Sequence, residues 1–192
     1  MSKKTETARD TQRLTDGLQR GEADAQEEFL RQYAPHAFRL IVQITANTQD
    51  AEELTQDTLL RAMQQIQRYD PQQASLETWV KHIAYRLTLN HLRKRPAPLL
   101  TLDSDNELFT EAEEEALQRA FAEADDERTE LLQQALDDLP PDELTLINLF
   151  YYEDLPLAEI AFITEAPPGT VATRLHRIRK KLYHLILKQQ QQ

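Results

Sequence analysis

Apolar residues recur at intervals of three and four along most of this chain, the spacing that gathers them onto one face of an α-helix. Residues 23–45, ADAQEEFLRQYAPHAFRLIVQIT, show it first, with Pro35 as a bend or a new start. TQDAEELTQDTLLRAMQQIQRY follows as a second helix, with Thr48 as its cap and Ala51 beginning the regular pattern. DPQQAS reads as a loop, and Ser75 as the N-cap of LETWVKHIAYRLTLNHLRKR, where Leu76, Trp79, Val80, Ile83, Ala84 and Leu87 form one stripe. Pro96 and Pro98 end that helix. Residues 1–20 are polar and read as a frayed tail. Beyond an acidic stretch come four shorter patterns: RTELLQQALDDL, PDELTLINLFYYED with Pro141 in its first turn, PLAEIAFIT opened by Pro156, and a last helix from about Gly169.

Composition agrees with an all-α fold. Only 3 glycines are present, too few for most Gly-loop nucleotide folds, and there is no cysteine, which excludes disulfides and thiolate metal sites. The N-terminus has no apolar signal core, and the longest apolar run, LTLINLFYY, falls short of the ~18 residues of a membrane helix. The expectation is a cytoplasmic protein without membrane insertion.

A formal net charge of −11 argues at face value against nucleic acid. Its distribution reverses that argument. Between Asp103 and Glu130 twelve acidic residues face only Arg119 and Arg128, which accounts for nearly all of the net charge. Residues 80–95 hold Lys81, Arg86, Arg93, Lys94 and Arg95 with no acid, and residues 171–188 hold Arg174, Arg177, Arg179, Lys180, Lys181 and Lys188 with no acid. Two basic helices thus flank an acidic middle.

The second basic helix carries the most specific motif. In EIAFITEAPPGTVATRLHRIRKK a short helix ends near Thr164, a turn holds Pro167, Pro168 and Gly169, and a new helix sets Val171, Leu175, Ile178 and Leu182 on one face. The other face carries Thr170, Ala172, Thr173, Arg174, Arg177, Lys180 and Lys181. This is the pattern of a helix-turn-helix with a basic recognition helix, whose arginines suit guanine in the major groove, while Arg179, Lys180 and Lys181 suit phosphates. A solvated basic face on a helical bundle is the plainer alternative.

The stretch LDDLPPDELTLINLFYYEDLPLAEIAFITEAPPGTVATRLHRIRKKL resembles the fourth conserved region of bacterial sigma factors, the extracytoplasmic-function (ECF) group above all. The resemblance implies reading of the −35 promoter element and docking on the flap of the polymerase β subunit. DAEELTQDTLLRAM resembles the second sigma region, whose helix binds the β′ clamp helices. There Asp50, Glu53, Asp57 and Arg61, with Gln56 beside them, lie along one face opposite Leu59, Met63 and Ile66. LETWVKHIAYRLTLNHLRKR resembles the helix that meets the −10 element. Arg86, Asn90, Arg93, Lys94 and Arg95 are its candidate DNA contacts, and Tyr69, Asp70, Gln72 and Gln73 of the preceding loop are candidates to hold a flipped base. Trp79 falls on the apolar stripe and is assigned to the core; Tyr85 lies off it and is assigned to the DNA face. The chain departs from the family pattern at Arg86, Asn90, Ala172 and Glu165, the last standing at the usual Gly of the helix-turn-helix corner.

The expected organisation is a flexible tail over 1–20, a region 2-like domain over 21–97, an acidic linker over 98–127, a region 4-like helix-turn-helix domain over 128–187 and a Gln-rich tail over 188–192. The linker is either a solvated spacer or an RNA mimic in the polymerase. The resemblance implies core RNA polymerase, promoter DNA and an anti-sigma factor as partners, with no cofactor, metal or catalysis. His36, His82, His91, His176 and His184 form no HxxxH pair, and no phosphate loop or nucleophile elbow is present. The alternative is a helix-turn-helix regulator acting on duplex DNA without polymerase, which would need neither the Asp50–Glu53–Asp57 face nor the second basic helix.

Overall fold

A computed structural model describes residues 2–94, 134–136 and 139–189. It divides into two compact units, the first built mainly from Met1–Ala97 and the second mainly from the residues beyond. All regular structure among the described residues is helical.

The first unit holds α1 (Ser2–Arg20), α2 (Ala23–Thr45), α3 (Thr48–Gln64), a 3-10 turn (Ile66–Arg68) and α4 (Leu76–Lys94). Helices α2, α3 and α4 pack on one another. Their shared core is Phe29, Leu40, Ile41, Ile44, Leu54, Leu59, Leu76, Val80 and Ile83, all buried. Each of the first three apolar stripes found in the sequence faces this core. Helix α2 runs unbroken through Pro35. It ends at Ala46, whose φ of 49° places a non-glycine residue in the left-handed region and turns its N–H onto the Val42 carbonyl. The cap of α3 is Asn47, one residue before the expected Thr48: its side-chain oxygen accepts from the Asp50 N–H at 3.1 Å. Ser75 caps α4 as expected, its hydroxyl accepting from the Thr78 N–H at 3.1 Å.

The frayed tail expected over residues 1–20 is instead helix α1. Its polar sequence hides a short apolar stripe: Leu14, Thr15 and Leu18 are buried, and Arg13 makes a two-oxygen salt bridge to Glu28 on α2. Gly17 permits the approach, since a Cβ there would lie 2.7 Å from that of Ala25. Gly21, at φ 74°, turns the chain from α1 into α2.

Later in the chain, α5 (Pro141–Ile147) continues into a π-helical turn (Asn148–Tyr152), followed by α6 (Leu157–Thr164) and α7 (Pro168–Gln189). Pro141 occupies the first turn of α5 and Pro156 precedes α6, as the sequence predicts. Leu136, Leu139, Leu146, Leu149 and Ile160 form a buried set with Val171, Leu175, Ile178 and Leu182 of α7. The predicted face of α7 is therefore the buried one. The expected acidic linker, Arg95 and most of the RTELLQQALDDL pattern lie outside the described residues. The Gln-rich tail begins as the end of α7 and then also leaves them.

Candidate nucleic-acid and polymerase interfaces

Helix α7 follows a tight corner. Glu165 sits there at φ 55°, the left-handed conformation that a glycine would adopt without strain. Pro167 then offers its carbonyl to the Val171 N–H at 3.0 Å, and Pro168 fixes the first turn. With Val171, Leu175, Ile178 and Leu182 turned inward, Thr170, Thr173 and Arg177 stand exposed at positions i, i+3 and i+7, one continuous outward stripe. The Thr173 hydroxyl donates back to the Gly169 carbonyl at 2.9 Å, which keeps its lone pairs outward. Ala172, Arg179 and Lys180 are half-buried on the flanks.

Arg174 and Lys181 are placed differently from the outward position the sequence reading gave them. Seven residues apart, they share the flank of α7 that faces α5. The Arg174 guanidinium donates to Asp142, and Lys181 Nζ lies 2.9 Å from Glu143. Both acids belong to the first turn of α5, where they also complement the helix dipole. Both acids lie far from their partners in sequence, 32 and 38 positions earlier, so a run of basic residues does not reveal them.

Helix α4 sorts its cations in another way. Lys81 is 1 % exposed, its Nζ 2.8 Å from Glu77 Oε1. His36 Nδ1 of α2 reaches the same oxygen at 3.1 Å. Lys81 is thus part of the core. Arg86, Asn90 and Arg93 are exposed at i, i+4 and i+7 and form the outward polar stripe. The Lys94 side chain and Arg95 lie outside the described residues. Tyr85, expected on the DNA face, is buried. Thr78, Lys81, Tyr85 and Thr88 widen the buried face beyond the apolar stripe, because α4 packs against both α2 and α3. Trp79 is buried as expected and meets Tyr69 in a tilted ring contact, with centroids 5.5 Å apart and planes at 53°.

The loop ahead of α4 is held from within. Tyr69 donates its hydroxyl to the Ala74 carbonyl at 3.2 Å, and burial, aided by the charge of Asp70, raises its pKa. Asp70 accepts from the Gln72 N–H at 2.9 Å and from the Gln73 amide at 3.0 Å, an Asx-type turn. Tyr69 and Asp70 therefore build the loop, and Gln72 and Gln73 are its exposed members. Behind it, burial pushes the Tyr33 phenol up to about 12, with the charges of Tyr69, Glu77 and Glu28 adding to the shift.

On α3, Glu53, Gln56, Asp57 and Arg61 are exposed along one face. Asp50 is turned from that face toward the end of α4, with its Oδ2 3.8 Å from His91 Nε2 and its side chain 13 % exposed. Leu60, which the sequence reading passed over, is 54 % exposed between Asp57 and Gln64. Its signal was the doublet Leu59–Leu60: adjacent helical positions diverge by about 100°, so only one can face the core. Tyr151 and Tyr152 are also exposed, at the end of the π-helical turn.

Two family models match the chain: Sigma-70 region 2 over residues 29–96 and Sigma-70, region 4 over residues 129–182. The ECF RNA polymerase sigma factor SigE of Mycolicibacterium smegmatis is 31 % identical over 162 residues, covering 84 % of this chain and 62 % of that protein. The ECF RNA polymerase sigma factor RpoE of Cereibacter sphaeroides is 30 % identical over 148 residues, covering 77 % of this chain and 78 % of that one. The sigma factor RpoE of Bartonella quintana, solved with the anti-sigma factor NepR, shares the fold with a TM-score of 0.56 at 18 % identity, covering 83 % of this chain and 95 % of its own. CnrH, solved with the cytosolic domain of CnrY, does so at 0.61 and 17 % identity, covering 92 % and 96 %. With both sigma regions present in order, and with an ECF sigma factor 30 % identical and matched over 78 % of its length, the chain belongs to the ECF sigma factors.

Proposed function

We propose that this chain is the promoter-specificity subunit of RNA polymerase, without catalysis, cofactor or metal of its own. One observation carries the reading: three outward faces of distinct chemistry occur in a single chain. The face of α3 is acidic with an apolar centre at Leu60, which suits a basic helix of the polymerase β′ clamp. Asp50 contributes through the fold of that region more than by contact. Arg86, Asn90 and Arg93 of α4, with Gln72 and Gln73 of the loop, suit the opened −10 element, where cations follow phosphates and amides meet base edges. Thr170, Thr173 and Arg177, with Arg174 at their margin, suit the duplex −35 element. The exposed Tyr151 and Tyr152 supply aromatic surface for the β flap.

The region 2-like domain is assigned to residues 21–97, extended by α1, and the region 4-like domain to residues 128–187. No described helix is long and apolar enough to cross a membrane, and we place the protein in the cytoplasm with its polymerase. An anti-sigma factor is a further proposed partner, as for the Bartonella quintana RpoE named above. The test is transcription in vitro with core polymerase and a pool of genomic promoters. Addition of this chain should direct initiation to a defined subset. Binding to duplex DNA without retention on core polymerase would instead make it an ordinary helix-turn-helix regulator.

A further inference from the structure

The tie between Arg174 and Asp142 sits at the edge of the reading surface, and its geometry assigns it more than stability. An arginine on a DNA-facing helix has a long, flexible stem and can settle on any phosphate it reaches. Such a contact gives affinity without sequence information. Reading a guanine needs the guanidinium held in one plane, with two parallel donors presented together. Arg174 lies one turn from both Thr170 and Arg177, and its side chain is 26 % exposed. Asp142 accepts from Nη2 alone among its five donors, so the contact orients the group without consuming it. Asp142 is itself placed in the first turn of α5, behind Pro141, and one residue on Glu143 ties Lys181 to the same helix. Helices α5 and α7 are thus joined at two points two turns apart along α7.

Building on the reading of α7 as the −35 reader, we propose that Asp142 is a positioning residue for promoter discrimination: it holds the Arg174 guanidinium to one base pair and away from the phosphate backbone. A negative charge this close to DNA also repels phosphate, so its presence favours a bound state in which Arg174 faces a base.

The experiment is selection of a randomised duplex pool by holoenzymes containing the wild-type chain, Asp142→Ala, Asp142→Glu, Arg174→Ala or Asp142→Ala/Arg174→Ala. A scrambled duplex measures non-specific binding. Asp142→Ala should lower the preference at one −35 base pair about tenfold while leaving scrambled-duplex affinity equal or higher. Arg174→Ala should lose the same base pair, the double variant should lose no more than Arg174→Ala alone, and Asp142→Glu should restore part of the preference. Equal weakening on every duplex would reduce Asp142 to a structural brace and overturn the proposal. So would an unchanged base preference in either single variant. Promoter-directed initiation by the wild-type holoenzyme, measured alongside, separates these failures from a failure of the sigma-factor reading itself.

Discussion

Helices α4 and α7 look alike in sequence, both amphipathic, basic and free of acids over their core stretch, yet the fold treats Lys81 of the one differently from Arg174 and Lys181 of the other. Helix α4 lies between two neighbours and draws one cation inside: Lys81 is buried on Glu77, and what remains outside is the narrow stripe Arg86, Asn90 and Arg93. Helix α7 keeps all its described cations at least partly in solvent and ties two of them, Arg174 and Lys181, to acids on α5. A count of basic residues therefore overstates both reading surfaces. It does so by the burial of Lys81 in α4 and by the pairing of Arg174 and Lys181 in α7.

The largest expected effect comes from breaking the buried tie. Glu77→Ala removes the carboxylate shared by Lys81 and His36, taking away an ion pair 2.8 Å from an ammonium at 1 % exposure. We expect a loss of about 3 kcal/mol of unfolding free energy in urea. The corresponding change on α7, Asp142→Ala, should cost only about 1 kcal/mol, because both partners there are half-exposed. Equal losses from the two variants would erase the distinction between the helices. Next in size is Leu14→Ala, which tests whether α1 is a packed element. It should cost about 2 kcal/mol, whereas a frayed tail would tolerate it with no change in the urea midpoint.

Much of this was legible in advance, and the misses share a cause. Stripes set by the 3.6-residue period, such as Val171–Leu175–Ile178–Leu182, are local and were read correctly. So were the Ser75 cap and the Pro141 and Pro156 starts, since each acts within one turn. Tyr85, Asp50, Lys81, Arg174 and Lys181 depend on which other helix lies alongside, and no local period reports that. Helix α1 failed for a different reason: three buried residues and a glycine contact suffice to dock it, too little apolar content to stand out from a polar background.

Smaller and opposite in sign is the effect at the end of α2. Ala46 sits at φ 49° on an exposed corner, a conformation that costs a residue with a Cβ about 1 kcal/mol. Ala46→Gly removes that strain and gives back part of the gain through a freer unfolded chain. We expect a net stabilisation of about 0.5 kcal/mol and a slightly raised melting temperature. A fall would show that the Cβ makes a contact worth more than the backbone strain.

The smallest effects on stability fall on the two outward stripes, and there the comparison is sharpest. Arg93→Ala and Arg177→Ala each remove an exposed cation, so each should change folding by less than about 0.5 kcal/mol. Their effects on DNA should diverge, because the two helices are assigned different forms of it. The salt dependence of binding counts phosphates neutralised, with about 0.9 per contact on a duplex and about 0.7 on a single strand. Arg177→Ala should flatten the salt slope on a duplex −35 fragment by about that larger amount and leave a single-stranded −10 oligonucleotide unaffected. Arg93→Ala should do the reverse, by the smaller amount, when both probes are titrated against the holoenzyme. If both variants weakened both probes alike, the two stripes would be one general electrostatic surface, and the division of duplex from opened strand between α7 and α4 would fall.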